Sequence, residues 1–151
     1  MQKKLAYILC TCAGAGYFPF ASGTFASFLA ILILYLGRPD LLVLTVLILL
    51  SSAITIYFSA EIEKNDGKDP QHIVMDEIAG QWLTFLFIPN PTLPILAVGF
   101  FLFRIFDVSK ILGINRLQNA NGGWGVLLDD LLAGLYSNIV IQILIAGDFI
   151  T

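Results

Sequence analysis

Two pairs of adjacent carboxylates, Asp76-Glu77 and Asp129-Asp130, stand at the head of strongly apolar runs, IAGQWLTFLF and LLAGLY. A carboxylate at mid-bilayer costs about 2.5–3.5 kcal/mol and less near the interface, so four of them beside such runs call for a cation. A lysine or arginine of the chain would serve, and so would a divalent metal. An all-oxygen donor set without a Cys/His cluster suits Mg2+ better than zinc. Mg2+ takes one or two carboxylates and shares its other positions with water and phosphate.

The cationic counterpart is FRIFDVSK. Arg104, Asp107 and Lys110 recur every third residue, and on a helix each such step is about 300°, which keeps all three within an arc of about 120°. Arginine offers a planar fork to phosphate oxygens and lysine a compact charge. Asp107 would hold both cations in place or enter the chemistry as base or nucleophile. The same spacing also fits a ladder of i,i+3 ion pairs on a solvated helix end; the two acidic pairs tip the balance toward a phosphate site. A third element is FASGTFAS, Phe20 to Ser27. Ser22 or Thr24 is a candidate N-cap, and a helix amino terminus beside Gly23 can receive phosphate through backbone N–H groups. Capping alone also accounts for that segment.

Other reactive residue types read as structural. His72, in the polar connection NDGKDPQH, is expected as a surface loop residue. Cys10 and Cys12 are one residue apart, with no second pair or nearby histidine, and read as buried apolar residues. The opening MQKKLAYILCTCAGAG resembles a signal peptide only in its two lysines and short apolar stretch, and is expected to be retained.

These groups must be positioned by very apolar elements. The 151 residues, one domain over 1–151 by length, are 58% hydrophobic and 13% charged. A water-soluble domain has roughly 45–50% and 25%, so the composition is that of an integral membrane protein. A net charge of −3 without a basic run excludes nucleic acid as a partner. Four apolar zones follow one another: Tyr17 to Leu36, with regular helix expected from about Thr24; Leu41 to Ala60; Ile78 to Phe103, interrupted by PNPTLP; and Val126 to Ala146. Lipid leaves helices or closed barrels, and these runs lack barrel alternation. The expected fold is therefore all-α: a multi-pass helical membrane protein, a compact bundle of about five apolar helices. The third zone forms two short helices or a re-entrant hairpin, with two helices favoured. The segments holding Lys3 and Lys4, Lys64 and Lys68, and Arg104, Lys110 and Arg116 are the most basic. Positive charge favours the cytoplasm, which gathers both acidic pairs and the FRIFDVSK cluster at the cytoplasmic face. The GRPD turn, the PNP turn and the carboxyl end fall on the other side. DEIAG (Asp76 to Gly80) also echoes DDLLAG (Asp129 to Gly134), each setting acids beside small residues that permit close helix approach.

Together SGTFAS, DPQHIVMDEIAGQW, FRIFDVSK and GGWGVLLDDLLAG resemble the phosphatidylglycerophosphatase A family, in family order from about Phe18 to Tyr136. The resemblance implies an all-helical, Mg2+-dependent lipid phosphatase of the bacterial cytoplasmic membrane. Such enzymes convert phosphatidylglycerophosphate to phosphatidylglycerol and inorganic phosphate. Carried across by motif, it implies catalytic roles for Asp76, Glu77, Asp107, Asp129 and Asp130, with Asp76, Glu77, Asp129 and Asp130 as metal ligands. Thr24, Arg104 and Lys110 would bind phosphate, supported by Gly23, Ser27 and Asp69. Three departures stand out: Ser22 replaces the family's proline before Gly-Thr, Ala26 replaces a glycine, and ILGI follows Lys110 where a proline-aromatic-proline run is common.

The competing class is a transporter or ion-conducting protein with membrane-edge carboxylates as a cation path. Arg104 and Lys110 argue against it, since they repel cations unless they are fully salt-bridged. The long aspartate-rich signature of CDP-alcohol phosphotransferases is absent, and one histidine cannot supply the two that type-2 phosphatidic acid phosphatases need.

Overall fold

The computed structural model describes residues 2–111, Ile114 and 122–151. Among them all regular structure is helical. α1 spans Gln2–Cys10, α2 Ser22–Gly37, α3 Leu41–Asp66, α4 Met75–Leu83, α5 Leu93–Ser109 and α6 Gly123–Ala146, with a short 3-10 turn at Ala15–Tyr17. Arg116, counted above among the basic residues, lies outside the described residues, as does most of the connection between Ile111 and Trp124.

Local chemistry sets the boundaries. Arg38, in a left-handed conformation, ends α2 by donating its N–H to Leu34 O at 2.9 Å. Two residues on, the Asp40 carboxylate accepts the Val43 N–H at 2.8 Å and caps α3. α3 outruns its apolar stretch and stops at Asp66, before Gly67 with φ +92. The 26 residues of α3 and 24 of α6 rise about 39 and 36 Å at 1.5 Å per residue, more than the roughly 30 Å of a hydrocarbon core. Among the described residues these two helices are long and apolar enough to cross a membrane.

The third apolar zone divides into two helices, α4 and α5. α4 has only nine residues, about 14 Å of rise, and begins before the apolar run so that it includes the acidic pair. Its far end is closed by Asn138 of α6, whose Nδ2 donates to Thr84 O at 3.0 Å and Leu86 O at 2.8 Å. Non-helical carbonyls inside an apolar protein need such a donor.

α4 lies at the centre, packed by α2, α3 and α6, while α5 packs mainly on α6. Ile78 and Trp82 of α4 join Ala26, Ala30 and Leu34 of α2, Ile48 of α3 and Ile141 of α6 in the main core. Trp82 Nε1 also donates to Ala30 O at 3.0 Å. The two acidic echoes meet here. A Cβ on Gly80 would lie 2.5 Å from Asp130 O, and one on Gly134 would overlap Gly80 O. The α4 and α6 backbones therefore touch at their glycines.

The ends sort as the charge pattern expects. Arg38 and Pro39 share a pocket with Phe85, Ile88 and Asn90, and Thr92 Oγ1 donates to Thr151 O at 2.8 Å. The GRPD turn, the PNP turn and the carboxyl end thus cluster together. α1 packs against the other end of α3, through Lys3 Nζ to Asn65 Oδ1 at 2.9 Å and Tyr7 OH to Asp66 Oδ2 at 2.7 Å. Cys10 is buried, Cys12 half-buried, and both are free thiols.

Candidate active site

Asp76 and Glu77 occupy the first turn of α4, where the helix dipole favours negative charge. The Val74 N–H, donated to Cys10 O at 2.9 Å, pins that turn to α1. Gly80 follows Asp76 by four residues and Gly134 follows Asp130 by four. One helical turn therefore separates each acid from the glycine contact, and the contact sets Asp76 and Asp130 abreast. Ligand oxygens of Asp76, Glu77 and Asp130 all lie within 4.8 Å of one another. Asp76 and Asp130 are 3% and 4% exposed. Asp76 Oδ1, Glu77 Oε2 and Asp130 Oδ1 are buried without a hydrogen-bond partner. Orphaned, like-charged oxygens buried together are costly unless a cation lies among them. The set fits a small hard dication such as Mg2+, which asks for oxygen donors from few carboxylates.

Asp129 has a different task. Consecutive residues diverge by about 100° on a helix, and Asp129 turns from the triad to accept Lys110 Nζ at 2.8 Å. Of the four expected metal ligands, Asp76, Glu77 and Asp130 lie together as a triad, while Asp129 Oδ2 holds Lys110. Lys110 also departs from the expected helical arc. α5 stops at Ser109, and Lys110 adopts a left-handed conformation (φ 47), its N–H donated to Phe106 O. That turn carries its ammonium across to α6 instead of stacking it on Asp107. Desolvation lowers the Lys110 pKa, but the hydrogen bond and charge of Asp129 outweigh it and the net shift is upward. Asp107 Oδ2 instead meets Arg104 Nη1 at 2.6 Å, and Asp130 lies within hydrogen-bonding reach of Asp107.

α2 delivers its amino terminus to the same place. A Cβ on Gly23 would overlap the Glu77 carboxylate and lie 3.2 Å from Arg104 Nη1, so in this arrangement both side-chain ends rest against the α2 backbone at a glycine. Neither Ser22 nor Thr24 caps the helix. Ala21 holds the N-cap position in a left-handed conformation, and no side chain closes the first turn. Ser22 already lies inside the helix, and its hydroxyl donates to Gln71 O at 2.7 Å. The first N–H groups of α2 are left without a side-chain cap, as an anion site requires. Half-buried Thr24 stands in that turn. Ser27 is buried behind it and donates to Gly23 O at 2.8 Å. Asp69, in the loop before α4, receives its own tie through its N–H to Glu63 Oε1 at 3.0 Å. Desolvation first and then Asp129 raise its pKa, while Lys110 lowers it, which places Asp69 at the edge of the same charge cluster.

His72 corrects the surface-loop expectation. It stays in a turn but is half-buried, stacked on Tyr7 and Tyr17. With Gln71 and Tyr17 it lines a cleft of about 560 Å³ whose lining also includes Gly23, Glu77 and Arg104. Sequence reasoning passed over Tyr17 and Gln71; the only local signal was their place in or beside Gly- and Pro-rich segments.

Cationic side chains beside a carboxylate triad suited to a cation are what cleavage of a phosphate ester demands, and the chain falls in the class of phosphoric monoester hydrolases. It belongs to the phosphatidylglycerophosphatase A family, whose model matches residues 8–145. A Bacteroides thetaiotaomicron relative, provisionally named a phosphatidylinositol-3-phosphatase, is 36% identical over 92% of each chain. Escherichia coli phosphatidylglycerophosphatase A is 33% identical over 87% of this chain and 78% of its own. The Haemophilus influenzae phosphatidylglycerophosphatase A is 30% identical, covering 89% and 85%. No solved structure matches.

Proposed function

We propose that this chain hydrolyses phosphatidylglycerophosphate to phosphatidylglycerol and inorganic phosphate, using Mg2+ held by Asp76, Glu77 and Asp130. The observation that carries the reading is the buried triad with unpartnered oxygens beside Arg104 and the open end of α2. The family and the names of two relatives direct it to this substrate.

Bound at the triad, Mg2+ would offset charge on the phosphoryl oxygens and acidify water. The chain's own groups do the rest. Arg104 offers its fork to the phosphate, oriented by Asp107. Lys110, held by Asp129, adds a second positive charge. The first N–H groups of α2, with Thr24, face a third oxygen. Asp107 accepts a proton as the water oxygen bonds to phosphorus. The phosphorus–oxygen bond to glycerol then breaks, and the leaving oxygen takes up a proton. Positioning and charge stabilisation of this kind supply most of phosphoryl-transfer catalysis.

The chain works as a multi-pass protein of the bacterial cytoplasmic membrane, with the site facing the cytoplasm. In support, large apolar side chains such as Leu42, Leu49, Phe101, Ile105 and Ile143 are exposed along the helices, more than water-soluble surfaces carry. Lys3, Lys64 and Lys68 share the site's end, as the positive-inside rule favours. A cation path is disfavoured, because the family is one of phosphatases. The test is phosphate release from phosphatidylglycerophosphate by purified protein, with and without Mg2+. Release that is lost on chelation and restored by Mg2+ is expected. Inertness toward this lipid with metal present, while another phosphate lipid is cleaved, would reassign the substrate.

A further inference from the structure

The cleft that Glu77 and Arg104 line has further lining residues that the phosphate chemistry leaves unused, among them Tyr17, Gln71 and His72. Several independent contacts hold this side of the cleft in place. The His72 ring stacks on Tyr7 (centroids 5.8 Å, planes 13° apart) and on Tyr17 (5.4 Å, 17°). His72 Nε2 lies 3.0 Å from Asp66 Oδ2, which also accepts the Tyr7 hydroxyl at 2.7 Å. Ser22 Oγ fixes the Gln71 carbonyl at 2.7 Å. Gly16 presses on the His72 carbonyl so closely that a Cβ would overlap it. The Tyr17 and His72 rings and the Gln71 backbone are thus held in place, which preorganises this side of the cleft for recognition.

The space they enclose exceeds what phosphate needs. Five heavy atoms fill about as much room as five waters, roughly 150 Å³ at 30 Å³ each, whereas the cleft measures about 560 Å³. The remainder is lined by the polar side chains of Tyr17, Gln71 and His72 together with Phe18, Pro19 and Ala21. We infer that this side of the cleft is a polyol subsite, in which Tyr17, Gln71 and His72 read the hydroxylated carbon skeleton that carries the phosphate. The inference rests on the phosphate-lipid reading above. Glycerol-type and inositol-type headgroups share the required chemistry, and substrate choice in the assay separates them.

The experiment uses the full chain in mixed micelles with Mg2+. Its substrates are phosphatidylglycerophosphate, phosphatidylinositol 3-phosphate and phosphatidic acid, the last having no polyol between phosphate and diacylglycerol. Tyr17→Phe removes a hydroxyl and keeps the ring stack; Gln71→Ala removes an exposed amide. Both variants are expected to fold. For whichever polyol lipid the wild type prefers, the ratio of its kcat/KM to that of phosphatidic acid should fall about tenfold in each variant, mainly through KM. Equal losses on all three lipids, or no loss on any, would overturn the subsite while leaving the phosphatase intact. A wild type inert on every phosphate lipid would instead sink the underlying reading and this inference with it.

Discussion

The glycine contact between α4 and α6 sets the spacing of Asp76 and Asp130, and Gly80→Ala tests it. Two effects of opposite sign compete. Alanine is the better helix former by about 0.8–1.0 kcal/mol in a helix interior. Against that, the new Cβ would lie 2.5 Å from Asp130 O, 0.9 Å short of the 3.4 Å at which ordinary contact begins, and 2.7 Å from the Phe103 ring. Asp130 O belongs to the backbone and cannot rotate away, so the helices must part by close to an ångström. Overpacking of this kind costs about 1–3 kcal/mol, which outweighs the propensity gain. The same movement separates Asp76 from Asp130, and about an ångström of misplacement can cost on the order of 10²-fold in rate. The assay pairs kcat/KM on phosphatidylglycerophosphate at saturating Mg2+ with thermal unfolding in detergent. Gly37→Ala is the control, since its Cβ would meet nothing nearer than Pro39 Cδ at 3.9 Å. A Gly80→Ala enzyme with wild-type turnover and unchanged or higher Tm would refute the claim that this crossing sets the site.

The division of the second acidic pair predicts different defects. Asp130→Asn should raise the Mg2+ concentration for half-activation by at least about tenfold, the lower range for losing even an outer-shell partner; Asp129→Asn should leave that concentration nearer normal and lower kcat/KM by releasing Lys110. Mg2+ titrations of phosphate release check both. Asp107→Asn should cut kcat about 10²–10⁴-fold if Asp107 serves as base; near-normal steady-state turnover would remove it from that role. In a background without Cys10 and Cys12, an impermeant maleimide should label an Asn90→Cys variant on intact cells, and a Lys68→Cys variant only after permeabilisation. The reverse pattern would invert the topology.

Much of the site was legible because its signals are local. An acid followed four residues later by a glycine, twice over, announces both the charge and the close approach that gathers it. The grouping of the two turns with the carboxyl end followed from alternating apolar runs and basic segments. What stayed hidden depends on conformations or partners that no local period encodes. Lys110 looked like the next rung after Arg104 and Asp107, but its left-handed backbone sends it to Asp129, nineteen residues on. Ser22 looked like a cap, yet the chain enters α2 through a left-handed Ala21. His72 looked exposed because its stacking partners, Tyr7 and Tyr17, come from the amino-terminal segment, more than fifty residues away.

These misses share a cause with the function. A bundle this apolar has little polar surface to spare, so charged groups at its end are met by others drawn from distant segments. Arg104 takes Asp107, Lys110 takes Asp129, and Asp76, Glu77 and Asp130 keep oxygens that no described residue meets. An arrangement built only for stability would have paired those oxygens too, because a buried carboxylate without a partner is destabilising. Under the proposed function their partners are a cation and, through it, a phosphate, so the ligands that complete the charge balance would be the same ones the chemistry uses.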